Sequence, residues 1–113
     1  MKKKRPPVAV VLEPSVAELY SSLREEDKFK NSIDRALDVL KEDMFSGERV
    51  RKRQIPAYYV KRFGVNNLYV LKLDRAWRLC YTLIADEEGV KVAVFEVFSN
   101  HKAYDRRFGY KTR

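Results

Sequence analysis

The chain has 113 residues, 45% of them hydrophobic and 35% charged, which describes one globular domain with a real core and no room for a second. This balance argues against disorder away from the ends, and no apolar run approaches the ~18 residues that span a bilayer. A lone cysteine, Cys80, excludes an internal disulfide and a cysteine-rich metal site, and a reducing cytoplasm is the expected setting. Charge says more. Residues 1–50 carry ten basic and ten acidic side chains, whereas residues 51–113 carry fourteen basic and six acidic ones, so the whole formal +8 lies in the second part. Segregated positive charge points to a polyanionic partner, nucleic acid first, with a generally basic surface that binds nothing as the alternative.

In chain order, residues 1–7 read as a flexible basic arm, because like charges repel and Pro6-Pro7 favours extended backbone. Residues 8–113 form the single domain. The apolar run Val8 to Leu12 is broken by Glu13 and Pro14, too short for a secretory signal and rich enough in β-branched residues for a first strand. Pro14 suits the first turn of a helix carrying Val16, Leu19, Tyr20 and Leu23. After the polar break Arg24 to Asp27, the stripe Phe29, Ile33, Ala36, Leu37 and Leu40 predicts a second helix from about Glu26 to Met44, stopping at Ser46-Gly47. The pair reads as an αα-hairpin.

Residues 48–67 are less legible. A dense basic run, Glu48 to Arg53, precedes Pro56; then Tyr58, Tyr59, Lys61, Arg62 and Phe63 interleave rings with cations, which suits RNA or, equally, a loop whose tyrosines plug the sheet edge. Strands are predicted at 68–73, 76–85 and 90–98, with Trp77, Leu79, Tyr81 and Leu83 on one face and Arg78, Cys80, Thr82 and Ile84 on the other. Asp86 to Gly89 supplies the hairpin turn. The expected fold is α+β: an N-terminal strand and an αα-hairpin packed on one face of an antiparallel sheet. Trp77 and Cys80 are expected in the core.

Familiar catalytic motifs are absent. The glycines at 47, 64, 89 and 109 are scattered singly, and no spacing of histidines or carboxylates marks a zinc or magnesium site, so neither metal nor cofactor is expected. Catalysis, if any, rests on Lys, Arg, His and Tyr. RNA phosphodiester cleavage meets that restriction, since the substrate brings its own 2′-hydroxyl nucleophile and needs only a base, cations and an acid.

The ordered segments LYVLKL, AWRLCYTLIADEEGVKVAVFEVF and NHKAYDR, following an αα-hairpin, resemble the RelE/ParE toxin superfamily over residues 10–107. The resemblance implies a toxin of a toxin–antitoxin system, an endoribonuclease that cuts mRNA on the ribosome, with a cognate antitoxin, ribosome and mRNA as partners. On that resemblance Arg78 corresponds to the arginine that stabilises the scissile phosphate, and Lys72 to one of two strand lysines used for base and electrostatic work. His101 falls where a tail histidine or cation protonates the leaving group, and Tyr104 at a closing tyrosine that stacks a base or helps proton transfer. Arg51, Lys52, Arg53, Lys61, Arg62, Arg75, Lys102, Arg106 and Arg107 would bind RNA phosphates. Val70 stands in place of the second strand lysine. Other branches of the family keep the fold without cutting RNA, so a gyrase poison or a silent nucleic-acid-binding module is the alternative. Taken singly, Arg78 could form a surface ion pair, Lys72 be a solvated strand residue, and His101 cap a strand end.

Overall fold

The computed structural model describes residues 3–110. The chain runs β1 (Ala9–Leu12), α1 (Pro14–Ser22), α2 (Lys28–Glu42), β2 (Glu48–Arg49), a 3-10 turn (Lys52–Gln54), α3 (Ala57–Phe63), β3 (Tyr69–Lys72), β4 (Arg78–Asp86), β5 (Gly89–Phe98) and α4 (His101–Phe108). The five strands form one sheet in the order β1-β5-β4-β3-β2. This is an α+β fold, but the sheet is mixed: β1 runs parallel to β5, with Ala9 opposite Lys91, and every other pairing is antiparallel. The expectation of an antiparallel sheet is corrected at that edge. A parallel neighbour needs a long crossover, and α1 through β4 provide it.

Local signals explain the helices. Pro14 sits in the first turn of α1, where its missing N–H is not needed, and Glu13 caps that turn by accepting from the Ser15 amide at 3.0 Å. Asp27 caps α2 through the Phe29 amide at 2.8 Å. The α2 stripe then buries Phe29, Ile33, Ala36 and Leu40. Ala36 and Leu40, with Val16 and Met44, cover Tyr69, Leu79, Tyr81, Val92 and Val94 on the first face of the sheet.

The second face is covered too, which the sequence reading did not anticipate. Residues 48–67 are not an open loop. They contain α3, whose Tyr59 is fully buried, and α4 lies beside it where only a tail was expected. Tyr59, Val65, Leu68, Val70, Cys80, Phe95, Phe98 and Tyr104 form this second core, so the helices are not confined to one face. A bulge makes it possible: Cys80 pairs with Glu96 but Tyr81 pairs with Val94, leaving Phe95 as the extra residue on β5. Phe95 and Glu96 consequently both serve the second face. Phe95 packs against Tyr59 at 4.8 Å between ring centroids, and the Tyr59 hydroxyl donates to Glu96 Oε1 at 2.6 Å.

Within the arm, the Met44 amide donates to the Arg5 carbonyl at 2.8 Å and Lys4 Nζ lies 2.9 Å from Glu42. Met1 and Lys2 lie outside the described residues. Among the described residues no helix is long and apolar enough to cross a membrane.

Candidate nucleic-acid cleavage site

The β3–β4 register sets Lys72 directly opposite Arg78, and Val70 opposite Cys80. Strand alternation sends all four toward the α3/α4 side, because Val70 and Cys80 belong to the second core. Cys80 is fully buried and its burial pushes the thiol pKa up, so it is a packing residue rather than a nucleophile. Toward the sheet edge, β2 pairs Glu48 with Val70. A cleft of about 180 Å³ opens here, lined by Lys72, Arg78, Tyr104, Glu48, Arg49 and Tyr110 among others.

α4 supplies the aromatic wall. Asn100 starts the helix by accepting from the amides of Lys102 at 2.8 Å and Ala103 at 3.3 Å. Gly109, at φ 74°, ends it in a left-handed turn that only glycine adopts freely, and this turn brings Tyr110 back toward Asp105, whose carbonyl accepts its amide. On the inner side of α4, Tyr104 packs on Phe98 and Phe108. The Arg78 guanidinium carbon lies 5.5 Å from the centre of the Tyr104 ring, while Nη1 donates to the Trp77 carbonyl at 3.0 Å. Stacking and the hydrogen bond fix the plane of the guanidinium and leave further N–H groups free to donate. Burial pushes the Tyr104 phenol up to about 12, so at neutral pH it is a proton donor.

Three of the four residues expected to be catalytic therefore meet in one cleft. The fourth does not. His101 occupies the exposed first turn of α4, with Nε2 3.1 Å from Asp105 Oδ2, and does not line the cleft. Lys102 is exposed beside it. Arg106 is exposed and, with Arg107 and Glu96, borders a separate hollow. Arg107 is engaged within the protein, stacked 3.8 Å from the Tyr58 ring centre with Nε 3.4 Å from Glu96. Arg51, Lys52 and Arg53 surround the exposed 3-10 turn, and Lys61 and Arg62 end α3, all facing solvent. Arg75 lies in the β3–β4 turn over Trp77, which is half-buried rather than in the core.

Sequence reasoning missed Glu48, Arg49 and Tyr110. A two-residue strand gives no periodic signal, and Glu48 appeared only as the acidic start of a basic run. For Tyr110 the Gly109 beforehand was the available sign, since a glycine at a helix end turns the chain back on itself. Among the described residues, no group of three or more His, Cys, Asp or Glu side chains is placed to hold a metal ion.

Comparison of the chain with protein-family models, with curated proteins and with solved structures finds no match.

Proposed function

We propose that this cleft cleaves single-stranded RNA and that the protein is a RelE/ParE-type toxin acting on ribosome-bound mRNA in the cytoplasm, held silent by an antitoxin. The observation that carries the reading is the cross-strand pair Lys72–Arg78, with the Arg78 guanidinium over the Tyr104 ring and a carboxylate, Glu48, lining the same cleft. In the reaction the Glu48 carboxylate takes the 2′-hydroxyl proton. The 2′-oxygen then bonds to the adjacent phosphorus and the P–O5′ bond breaks, leaving a 2′,3′-cyclic phosphate. Arg78 and Lys72 stabilise the charge that builds on the phosphoryl oxygens. The departing 5′-oxygen takes a proton from Tyr104, which retains one at neutral pH. Glu48, opposite Val70, does the base work for which the resemblance would have used a second lysine. His101 is given no chemical step.

The test is primer-extension mapping of mRNA on programmed ribosomes. The wild type should cut in the A site, and Arg78→Ala should cut at least about 100-fold more slowly, the usual loss when one transition-state donor is removed. Unchanged cleavage by folded Arg78→Ala rejects the site. A second reading, a gyrase poison or a silent binding module, is favoured by the cations that lie outside the cleft on the 3-10 turn and α3. It predicts intact mRNA, with either trapped gyrase-cleaved DNA or salt-sensitive binding without product.

A further inference from the structure

The cleft is not isolated. Lys72 lines both it and a 360 Å³ groove that runs along β3 beneath α2, walled by Val39, Leu71 and Leu73. Arg35 and Asp74 line that groove and also a third hollow of 310 Å³, whose other walls are Lys28, Asn31, Arg75 and Trp77. The cleft lies on the α3/α4 side of β3 and the groove on the α2 side, with Lys72 lining both, so a strand reaching from Arg78 to the only tryptophan in the chain would pass over the edge of β3.

The far end of that path has the chemistry of a nucleotide site. Trp77 is half-buried, held at its edge by the buried Phe29 with ring centroids 5.0 Å apart. The Arg75 guanidinium carbon lies 5.5 Å from the Trp77 ring centre. Arg75 holds φ 60°, the left-handed conformation that the tight β3–β4 turn imposes, closed by the Trp77 amide donating to the Asp74 carbonyl at 3.3 Å, and this turn sets its side chain beside the ring. The one carboxylate in the hollow, Asp74, is neutralised by Arg35. Lys28 and Arg75 are exposed and have no carboxylate partner among the described residues.

We propose that the hollow formed by Trp77, Arg75, Lys28 and Asn31 is a second RNA subsite, which seats a nucleotide of the same strand whose scissile phosphate lies at Arg78. Resting on the cleavage reading of the cleft, it makes the substrate an extended single strand gripped at two points. The ring stacks a base, Arg75 swinging aside or covering it, and Arg75 and Lys28 neutralise the flanking phosphates. Cations alone would suit an acidic peptide equally. The indole beside them and an amide for a base edge favour RNA.

Because Trp77 is the sole tryptophan, its fluorescence reports this hollow directly. A short 2′-O-methyl RNA, which cannot be cleaved, should quench it saturably in wild type, and in Arg78→Ala to the same extent at saturation but with weaker affinity. Arg75→Gly and Lys28→Ala should each weaken binding several-fold and each lower the salt slope of log affinity by about one. Two results overturn the subsite. In the first, fluorescence anisotropy shows labelled RNA bound while Trp77 stays unquenched, which leaves the cleft reading standing. In the second, polyglutamate quenches as well as RNA does. Quenching by RNA together with wild type that forms no cleavage product keeps the subsite and rejects the nuclease instead.

Discussion

The hydroxyl of Tyr81 holds Gly47 in place: it accepts the Gly47 amide at 2.9 Å and donates to the Met44 carbonyl at 2.7 Å, within the first core. The contact is close enough that a Cβ on Gly47 would lie 2.9 Å from Tyr81 Cε1 and 3.0 Å from the Val70 carbonyl oxygen. Since Glu48 follows directly, a core tyrosine on β4 sets where the carboxylate of β2 enters the cleft.

Tyr81→Phe should therefore cost about 1–3 kcal/mol, because two backbone groups lose their buried partner. Gly47→Ala should destabilise as well, since the buried Tyr81 ring and the Val70 backbone, neither of them a flexible side-chain end, must give way. Urea unfolding measures both. A Gly47→Ala protein as stable as the parent would mean that the loop is not held as described.

Glu48→Gln keeps shape and loses the base. Cleavage should fall about 100- to 10,000-fold with the melting temperature nearly unchanged, as Glu48 is exposed. His101→Ala should cut like the wild type. A large loss in His101→Ala beside an active Glu48→Gln, both mapped by primer extension, would exchange the roles assigned to these residues.

Tyr81 and Tyr104 are both pushed up to about 12 by burial, and burial raises Tyr59 as well. Each holds its proton more tightly folded than unfolded, where tyrosine titrates near 10. Their contribution to stability is thus fully present below about pH 10 and is lost as pH rises from there toward 12. Ultraviolet titration should show these tyrosinates appearing only together with cooperative alkaline unfolding. Ionisation of all seven tyrosines near pH 10 in a protein still folded by circular dichroism would contradict the burial.

Arg75→Gly should separate stability from binding. Glycine relieves the left-handed strain, worth about 1 kcal/mol, partly offset by the freedom glycine gains unfolded. The variant should be at least as stable as wild type in denaturant while binding RNA less tightly. Lower stability would show that the Arg75–Trp77 contact serves the fold instead.

Much of this was legible in residue order. The alternation in β4, the α2 stripe and the acidic hairpin turn each depend on neighbours a few positions apart, and the elements lie where those patterns put them. Lys72, Arg78 and Tyr104 were found through motif order, and strand register then brought them together. The parallel pairing of β1 was hidden because its partner is distant in sequence. α3 was hidden differently: the alternating cations around Tyr58 and Arg62 obscured the helical spacing of Tyr59 and Phe63, although Pro56 before and Gly64 after mark both ends. The Phe95–Glu96 bulge breaks the period-two rule, so alternation along β5 could not place both Phe95 and Phe98 in the second core. Glu48 was missed because its placement depends on Tyr81, far along the chain.

The pairing of Ala9 with Lys91 also governs when the protein can become itself. During synthesis β1 emerges before its partner strand and has no edge to join until β5 is out, whereas β4 and β5 can close as a hairpin as soon as both exist. Tyr104 emerges later still. The slow, entropically costly step is this long-range closure, and the wall of the cleft is laid after the strands that bear its cations. A nascent chain therefore carries Lys72 and Arg78 before it carries a site, and the finished cleft waits on the later emergence of Tyr104.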